Sequence, residues 1–491
     1  RTNSGNPQVR CYAAQTLGLI RRTECIPLLS KLAIDKEPAV RKEALASIGK
    51  IADKESSELL LNALQDPCWE VRKSAATVLS DSGWQATDNR QKAMFLVAAQ
   101  DWQGTVATGK DAVEFLKNPI REKQEWIRKS AIQTLVRIGA DSVEPLHECL
   151  NDESVELRLS AIEGLGKIGD PKSKSYLTTL LSDKNPEIRR KALVALANPA
   201  NADLASQIAK LLKDKDKLIR KNAVETLGVI GGSESENILA SAMNDEDWIV
   251  RRNAVEALGL IKTETSTKII VNALSDKEEL VRKTAVEILQ SRSWSPENDA
   301  EKTLQLASLK KWKEIPLIGK NAVEPITNLV EDKNPQNRAD IAFILGELRD
   351  ESSIPVLAKL ILEDNSAEVK KTASLAIAKF AKKAENNLME VLDDAKDPMT
   401  VKCVVTALAN IPDAHEDTVE ELIDLLEDSE HTVIRKSAAE SLGAIGDKRA
   451  VKYLVHAIES DKEKKSVKLA SARALAKIKD LNCLKKLQEL I

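Results

Sequence analysis

Asp245-Glu-Asp-Trp-Ile-Val-Arg251-Arg252-Asn-Ala-Val-Glu256-Ala-Leu-Gly-Leu-Ile261 is the middle one of three successive stretches written to a single rule. Asp214-Lys-Asp-Lys-Leu-Ile-Arg220 precedes it by 31 residues, and Asp276-Lys-Glu-Glu-Leu-Val-Arg282 follows it by 31. Each has an Asp six residues before an Arg, an aliphatic residue just before that Arg, and an Ala three residues after it. The same register recurs at Arg10, Arg41, Arg72, Arg128, Arg158, Arg189, Arg338 and Arg435, and more weakly at Lys370, Lys402 and Lys468. Fourteen copies of one short unit make this a repeat protein.

Within a copy, Ile219, Ala223, Leu227 and Ile230 are spaced along one face of an α-helix. A second apolar-periodic run precedes each Asp, as at Ile269, Ile270, Ala273 and Leu274. Each unit therefore reads as two helices joined by a polar turn. Pro38, Pro186 and Pro335 stand three residues before the Arg, suited to the first helical turn, where a missing N–H costs nothing. A lone helix pair cannot cover its own apolar face, so the units must stack. The expected fold is all-α: a right-handed α-solenoid of about 14 or more helix pairs, continuous over residues 1–491.

The motif Asp-x5-Arg-Lys-x-Ala-x3-Leu-Gly-x-Ile, in units near 31 residues, resembles the HEAT-like repeat of the phycobilisome-lyase type. The resemblance covers nearly the whole chain. It implies an armadillo-like superhelix whose second helices line the concave side. For function it implies, in most cases, a protein-binding scaffold, with enzymes as the exception.

The step is broken twice. Arg72 to Arg128 and Arg282 to Arg338 each span 56 residues, and the two gaps lie 210 residues apart. Leu79-Ser-Asp-Ser-Gly-Trp84 matches Leu289-Gln-Ser-Arg-Ser-Trp294, and Trp102 matches Trp312. A 210-residue block has been duplicated, and each copy has one enlarged, Trp-marked unit. Residues 339–491 are more diverged, with nine acidic side chains and no Lys or Arg over 413–430. The chain opens inside a unit at Arg1, and Asn482–Ile491 reads as a first helix without its partner, the pattern expected of a fragment.

Charge narrows the function. With 73 basic and 76 acidic residues the net charge is −3, which disfavours a nucleic-acid-binding solenoid or an anionic-membrane binder. No apolar run nears the roughly 20 residues that span a bilayer, and no signal-peptide pattern is present, so a cytoplasmic protein is expected. Cys11, Cys25, Cys68, Cys149, Cys403 and Cys483 form no CxxC pair, the usage of a reducing compartment.

Catalytic motifs fail on context. Gly104-Thr-Val-Ala-Thr-Gly109-Lys110-Asp111 nearly spells a phosphate-binding loop, but Asp replaces the Ser or Thr and no strand precedes it, so it reads as a turn before a helix. His147-Glu148 and His415-Glu416 resemble the His-Glu pairs of deoxyhypusine hydroxylase, yet only two pairs exist, in non-equivalent places. No metal site, cofactor or small-molecule substrate is expected.

The expectation is a non-enzymatic scaffold that binds a protein or peptide along the concave surface of its second helices. Alternatives are a phycobilin-lyase-like subunit or chaperone handling a bilin, and the nucleic-acid-binding solenoid disfavoured above. The ladder residues Asp214, Arg220, Asp245, Arg251, Asp276 and Arg282 are read as structural, because a feature of nearly every unit cannot mark one site. Lys or Arg after the ladder Arg is neutralised four residues on by Glu225, Glu256, Glu287 and Glu440. Trp69, Trp126 and Trp248 do not recur at the 210-residue offset, so the repeat does not require them. With Lys73, Lys129, Arg252 and Glu256 beside them, they form the candidate partner-binding set, an aromatic–cation grouping suited to interface hot spots and cation–π contacts.

Overall fold

The computed structural model describes residues 4–51, 56–411 and 414–479. The helix expected at Asn482–Ile491, Cys483, Pro412, Asp413 and the opening Arg1 lie outside the described residues. Among those described there are helices and turns and no strand. The chain divides into two compact units, residues 1–238 and 239–491.

The second helix of each pair, the ladder helix, is numbered in chain order. The first unit holds α1 (Pro7–Ile20), α2 (Pro38–Gly49), α3 (Trp69–Asp81), α4 (Glu125–Ile138), α5 (Val155–Ile168), α6 (Pro186–Leu196) and α7 (Lys217–Ile230). The second holds α8 (Trp248–Leu260), α9 (Glu279–Ser291), α10 (Pro335–Leu348), α11 (Ala367–Ile377), α12 (Pro398–Leu408), α13 (Thr432–Ile445) and α14 (Lys465–Ile478). Each unit is an α-solenoid. Ladder helices pack successively, α1 to α3 and α4 to α7 in the first unit, α8 on α9 and α10 to α14 in the second. Each from α2 onward is preceded by a shorter helix, often tightened to a 3-10 turn at its end, as at Cys149–Asn151 and Ala273–Ser275.

Helix starts follow from local chemistry. Pro7, Pro38, Pro186, Pro335 and Pro398 open ladder helices, and Asn6, Asn185, Asn334 and Asp397 cap the helix start by accepting backbone N–H bonds. The buried faces are the periodic ones, with Val40, Ala44, Leu45 and Ile48 sealed on α2 and Ile219, Ala223 and Leu227 on α7. Glycine recurs eight residues after the ladder Arg because neighbouring helices touch there. A Cβ on Gly166 would lie 2.7 Å from that of Ala195, and one on Gly346 would lie 2.7 Å from that of Ala376. Cys149 is a packed thiol, its pKa pushed up to about 12 by burial.

The ladder itself is a clamp between consecutive units. Arg41 donates from Nε and Nη2 to Asp66 of the next unit, at 2.6 and 2.7 Å. Its Nη1 reaches back 2.8 Å to the carbonyl of Asp35 in its own unit. Asp66 in turn accepts the N–H of Cys68, fixing the turn before α3. Arg10–Asp35, Arg128–Asp152, Arg189–Asp214, Arg251–Asp276 and Arg338–Asp364 repeat the contact at 2.6–3.0 Å. Planar two-point pairing of this kind suits Arg and not Lys. Where Lys370 replaces Arg, its Nζ is held instead by Thr400 Oγ1 at 2.5 Å, Asp397 at 3.3 Å and the Leu362 carbonyl at 3.1 Å. Lys402 is exposed and makes no ladder contact among the described residues.

Both enlarged units stretch the clamp across 50 residues. Arg72 pairs with Glu122 at 2.5 Å, and Arg282 pairs with Asp332, the residue 210 positions on from Glu122. In the first copy Asn89–Ala99 packs on α3 and Trp102–Val106 on α4, with Trp84 against Phe95 at a ring separation of 5.5 Å. The phosphate-loop lookalike is not simply a turn. Gly104 lies inside the helix Trp102–Val106, its N–H taken by Asp101 at 2.9 Å, and only Gly109–Ala112 forms the 3-10 turn.

The two copies close the gap with different chemistry. Trp69 and Trp126 meet edge to face at 5.8 Å in the first. In the second, Glu279 occupies the position equivalent to Trp69 and accepts from Lys310 at 2.7 Å and from Asn334 and Asn337, each at 3.0 Å. Burial pushes the Glu279 carboxyl up, but these three donors outweigh it and hold it at about 2. The folded value lies below the unfolded one, so this stabilisation is present above the unfolded pKa of about 4.3 and is lost as pH falls toward about 2. A shift of that size is worth at most about 3 kcal/mol. Glu279→Gln is expected to flatten the acid arm of a stability-versus-pH titration, and an acid arm identical to that of the parent protein would contradict this assignment.

Candidate partner-binding surface on the ladder helices

The side chains one and five residues after the ladder Arg face solvent on most ladder helices, and they set the chemistry of that surface. On α7, α8, α9 and α13 the two positions neutralise each other. Lys221–Glu225, Arg252–Glu256, Lys283–Glu287 and Lys436–Glu440 lie 3.2, 2.8, 3.9 and 3.6 Å apart. On α2 and α3 the second position is Ala46 or Thr77, too short and uncharged to pair. Lys42 turns instead to Glu70 of α3 at 3.0 Å, while Lys73 has no ion pair among the described residues.

Where both glutamates are absent, a groove of ≈ 690 Å³ lies between α2 and α3. Ala46, Gly49 and Val78 form its apolar floor, Trp69 is a wall, and Lys42, Lys50, Lys73 and Asp81 stand around it. The volume falls within the range of about 300–1,000 Å³ typical of small-molecule pockets. The row where Glu would stand has no acid from α2 through α4, since Gln133 occupies it on α4.

The structure brings some of the sequence-predicted residues together and separates others. Trp69 and Lys73 line the groove, and Trp126 of α4 joins them through the indole pair. Trp69 is partly buried, whereas Trp126 keeps 50% of its surface exposed. Lys129 lies on the same helix as Trp126 and is paired with Glu156 of α5. Trp248, Arg252 and Glu256 form a separate patch on α8 in the second unit, with Trp248 partly buried. The expected cation–π contacts do not form at these residues. The indole of Trp69 is turned to Trp126, and Arg252 is drawn to Glu256, so no cation caps either ring among the described residues. Cation–π contacts occur elsewhere, as at Lys379 over Phe343, 4.7 Å from the ring centre.

Sequence reasoning missed the groove and the indole pair. Both had a signal. Trp69 and Trp126 are both replaced in the duplicated copy, by Glu279 and Gln336, as touching residues would be. His147 stacks on Tyr176 at 3.4 Å, and among the described residues no cluster of three His, Cys, Asp or Glu side chains is placed to hold a metal. No described helix is long and apolar enough to cross a membrane.

Paired helices clamped to their successors by a recurring Arg–Asp contact define a helical-repeat protein. The chain belongs to the HEAT-repeat family, whose pattern, described as HEAT repeats, matches residues 1–80, 113–197, 177–246, 236–311, 297–378, 323–398, 361–443 and 419–491. No curated protein sequence matches it. Among solved structures, importin beta is similar at 11% identity, covering 97% of this chain and 80% of that one with a TM-score of 0.35. Human deoxyhypusine hydroxylase is similar at 18% identity, covering 75% of this chain and 96% of that one, with a TM-score of 0.22. An engineered protein is similar at 20% identity, covering 93% and 99%, with a TM-score of 0.21. These likenesses concern the fold alone.

Proposed function

We propose that the chain is a non-enzymatic scaffold that binds a protein or peptide partner on the concave surface of its ladder helices. The observation that carries this reading is the α2–α3 groove, where the self-neutralising Lys–Glu pattern lapses and an apolar floor meets two indoles. The proposed contacts are Trp69, Lys73, Trp126 and Lys129 in the first unit, with Trp248, Arg252 and Glu256 as a second patch. The repeats are taken as the phycobilisome-lyase type on their Asp-x5-Arg-Lys-x-Ala motif, in one continuous solenoid working in the cytoplasm.

Rebuilding the closed pattern tests the reading. Ala46→Glu with Thr77→Glu gives Lys42 and Lys73 the i,i+4 partners that α7, α8 and α9 have; Thr77 is exposed and Ala46 half-buried at the groove, and melting curves check that the fold is kept. Partner capture read by mass spectrometry is expected to lose its specific protein. Capture of the same protein set by the double variant and by the parent would contradict the assignment. A purified chain with visible absorbance of a conjugated tetrapyrrole would favour bilin handling instead.

A further inference from the structure

The scaffold reading leaves the partner's chemistry open, and the groove narrows it. Its charges are not balanced along its length. Ladder helices α2 and α3 run side by side, so Lys42, Glu70 and Lys73 share the end near Trp69, while Lys50 and Asp81 share the other. At the Trp69 end the Lys42–Glu70 pair cancels, which leaves Lys73 as the uncompensated charge among the described residues. The nearest further cation on the same row, Lys129, is already held by Glu156. Lys73 lies one helical turn from Trp69, on the same face, beside the uncharged strip of Ala46 and Thr77.

We propose that the α2–α3 groove takes a peptide segment in which an acidic side chain stands next to a bulky apolar one. This rests on the scaffold reading and specifies its occupant. The apolar side chain lies on Ala46, Gly49 and Val78 against the Trp69 indole, where burial removes it from water. The carboxylate meets the ammonium of Lys73. A basic segment would set like charges against Lys73 and gain nothing from the cancelled Lys42–Glu70 pair. A polyanion such as single-stranded nucleic acid needs a continuous cationic track, and here Glu70 and Asp81 interrupt the lysines while the floor is apolar.

Panning a random twelve-residue peptide library on the full chain tests this directly. Selected sequences are expected to pair Asp or Glu with Phe, Leu, Ile or Trp and to be net negative. A selected peptide is expected to bind Lys73→Glu about tenfold or more weaker, Lys73→Ala weaker by less, and Lys283→Glu on α9 unchanged, by fluorescence anisotropy. Both positions are exposed, and melting curves of the three variants check that the fold is kept. Net-positive selected peptides, peptides without an apolar residue, binding indifferent to Lys73→Glu, or no selection at all would overturn the proposal. So would a twelve-nucleotide single strand that binds as tightly and with the same Lys73 dependence. Should the peptides fail while Ala46→Glu/Thr77→Glu still abolishes partner capture, the scaffold reading stands and only the acidic–apolar occupant falls.

Discussion

Arg282→Ala is expected to cost about 3–5 kcal/mol of stability, because it strands a carboxylate where water cannot reach. The Arg282 and Asp332 side chains are 1% and 0% exposed, and Asp332 keeps only Asn337, at 3.0 Å, as a side-chain donor once the Arg is gone. The pair is already less well satisfied than an ordinary ladder contact. In a normal unit Nε and Nη2 both reach the next Asp, as in Arg251 with Asp276, but in the enlarged unit Arg282 Nε is buried without a partner. The cost therefore comes from the orphaned charge more than from the lost bond. Arg282→Met with Asp332→Leu is expected to recover most of it, since an apolar replacement of a buried pair is often neutral. Guanidinium denaturation of the full chain measures both variants, with hydrogen exchange locating the loosening at α9 and α10. A double variant as unstable as Arg282→Ala would show that the pair itself, and not the stranded carboxylate, carries the energy.

Leu227→Ala is expected to cost about 2–5 kcal/mol. Leu227 is fully buried on α7, which packs against α6 in the first unit. Contacts in a stacked repeat run only between neighbours, so the damage stays local. Hydrogen exchange should rise first over 186–230 and stay at parent values over α1 to α3. A uniform rise along the first unit would contradict nearest-neighbour stability.

The fold was legible because its signals repeat. Register came from the Arg step, and helix starts from Pro38, Pro186 and Pro335. The partner of each ladder Asp was not legible. Six residues of sequence separate it from the Arg of its own unit, yet the Asp66 carboxylate pairs with Arg41, 25 residues upstream, while Arg72 meets Asp66 only at its backbone carbonyl and pairs with Glu122. Helix propensity does not say which way a guanidinium turns. The tolerance of Lys370 was hidden for a similar reason, since Thr400 Oγ1, which receives its ammonium, is 30 residues away.

The candidate site was legible only in part. Trp69 and Trp126 stood out as departures from the repeat, but the sequence left each beside a lysine of its own helix, Lys73 four residues on and Lys129 three, not facing the other across the enlarged unit. The spacing of Trp69 and Lys73 suggested a cation over the ring, and the indole turned instead to a second indole. The groove was not legible because its lining, Ala46, Gly49, Trp69, Lys73, Thr77 and Val78, comes from two helices whose facing sides the repeat pattern does not specify.

All of these readings rest on the ladder being the clamp between units, which leaves departures from the repeat free to serve function. A double-mutant cycle on Arg251→Ala and Asp276→Ala measures that clamp, with the exposed pair Glu264 and Lys268 as the reference. Expected is a coupling of about 1.5–3 kcal/mol for the ladder pair and under about 0.5 kcal/mol for the surface pair. Additive effects of Arg251→Ala and Asp276→Ala, within about 0.3–0.5 kcal/mol, would contradict it.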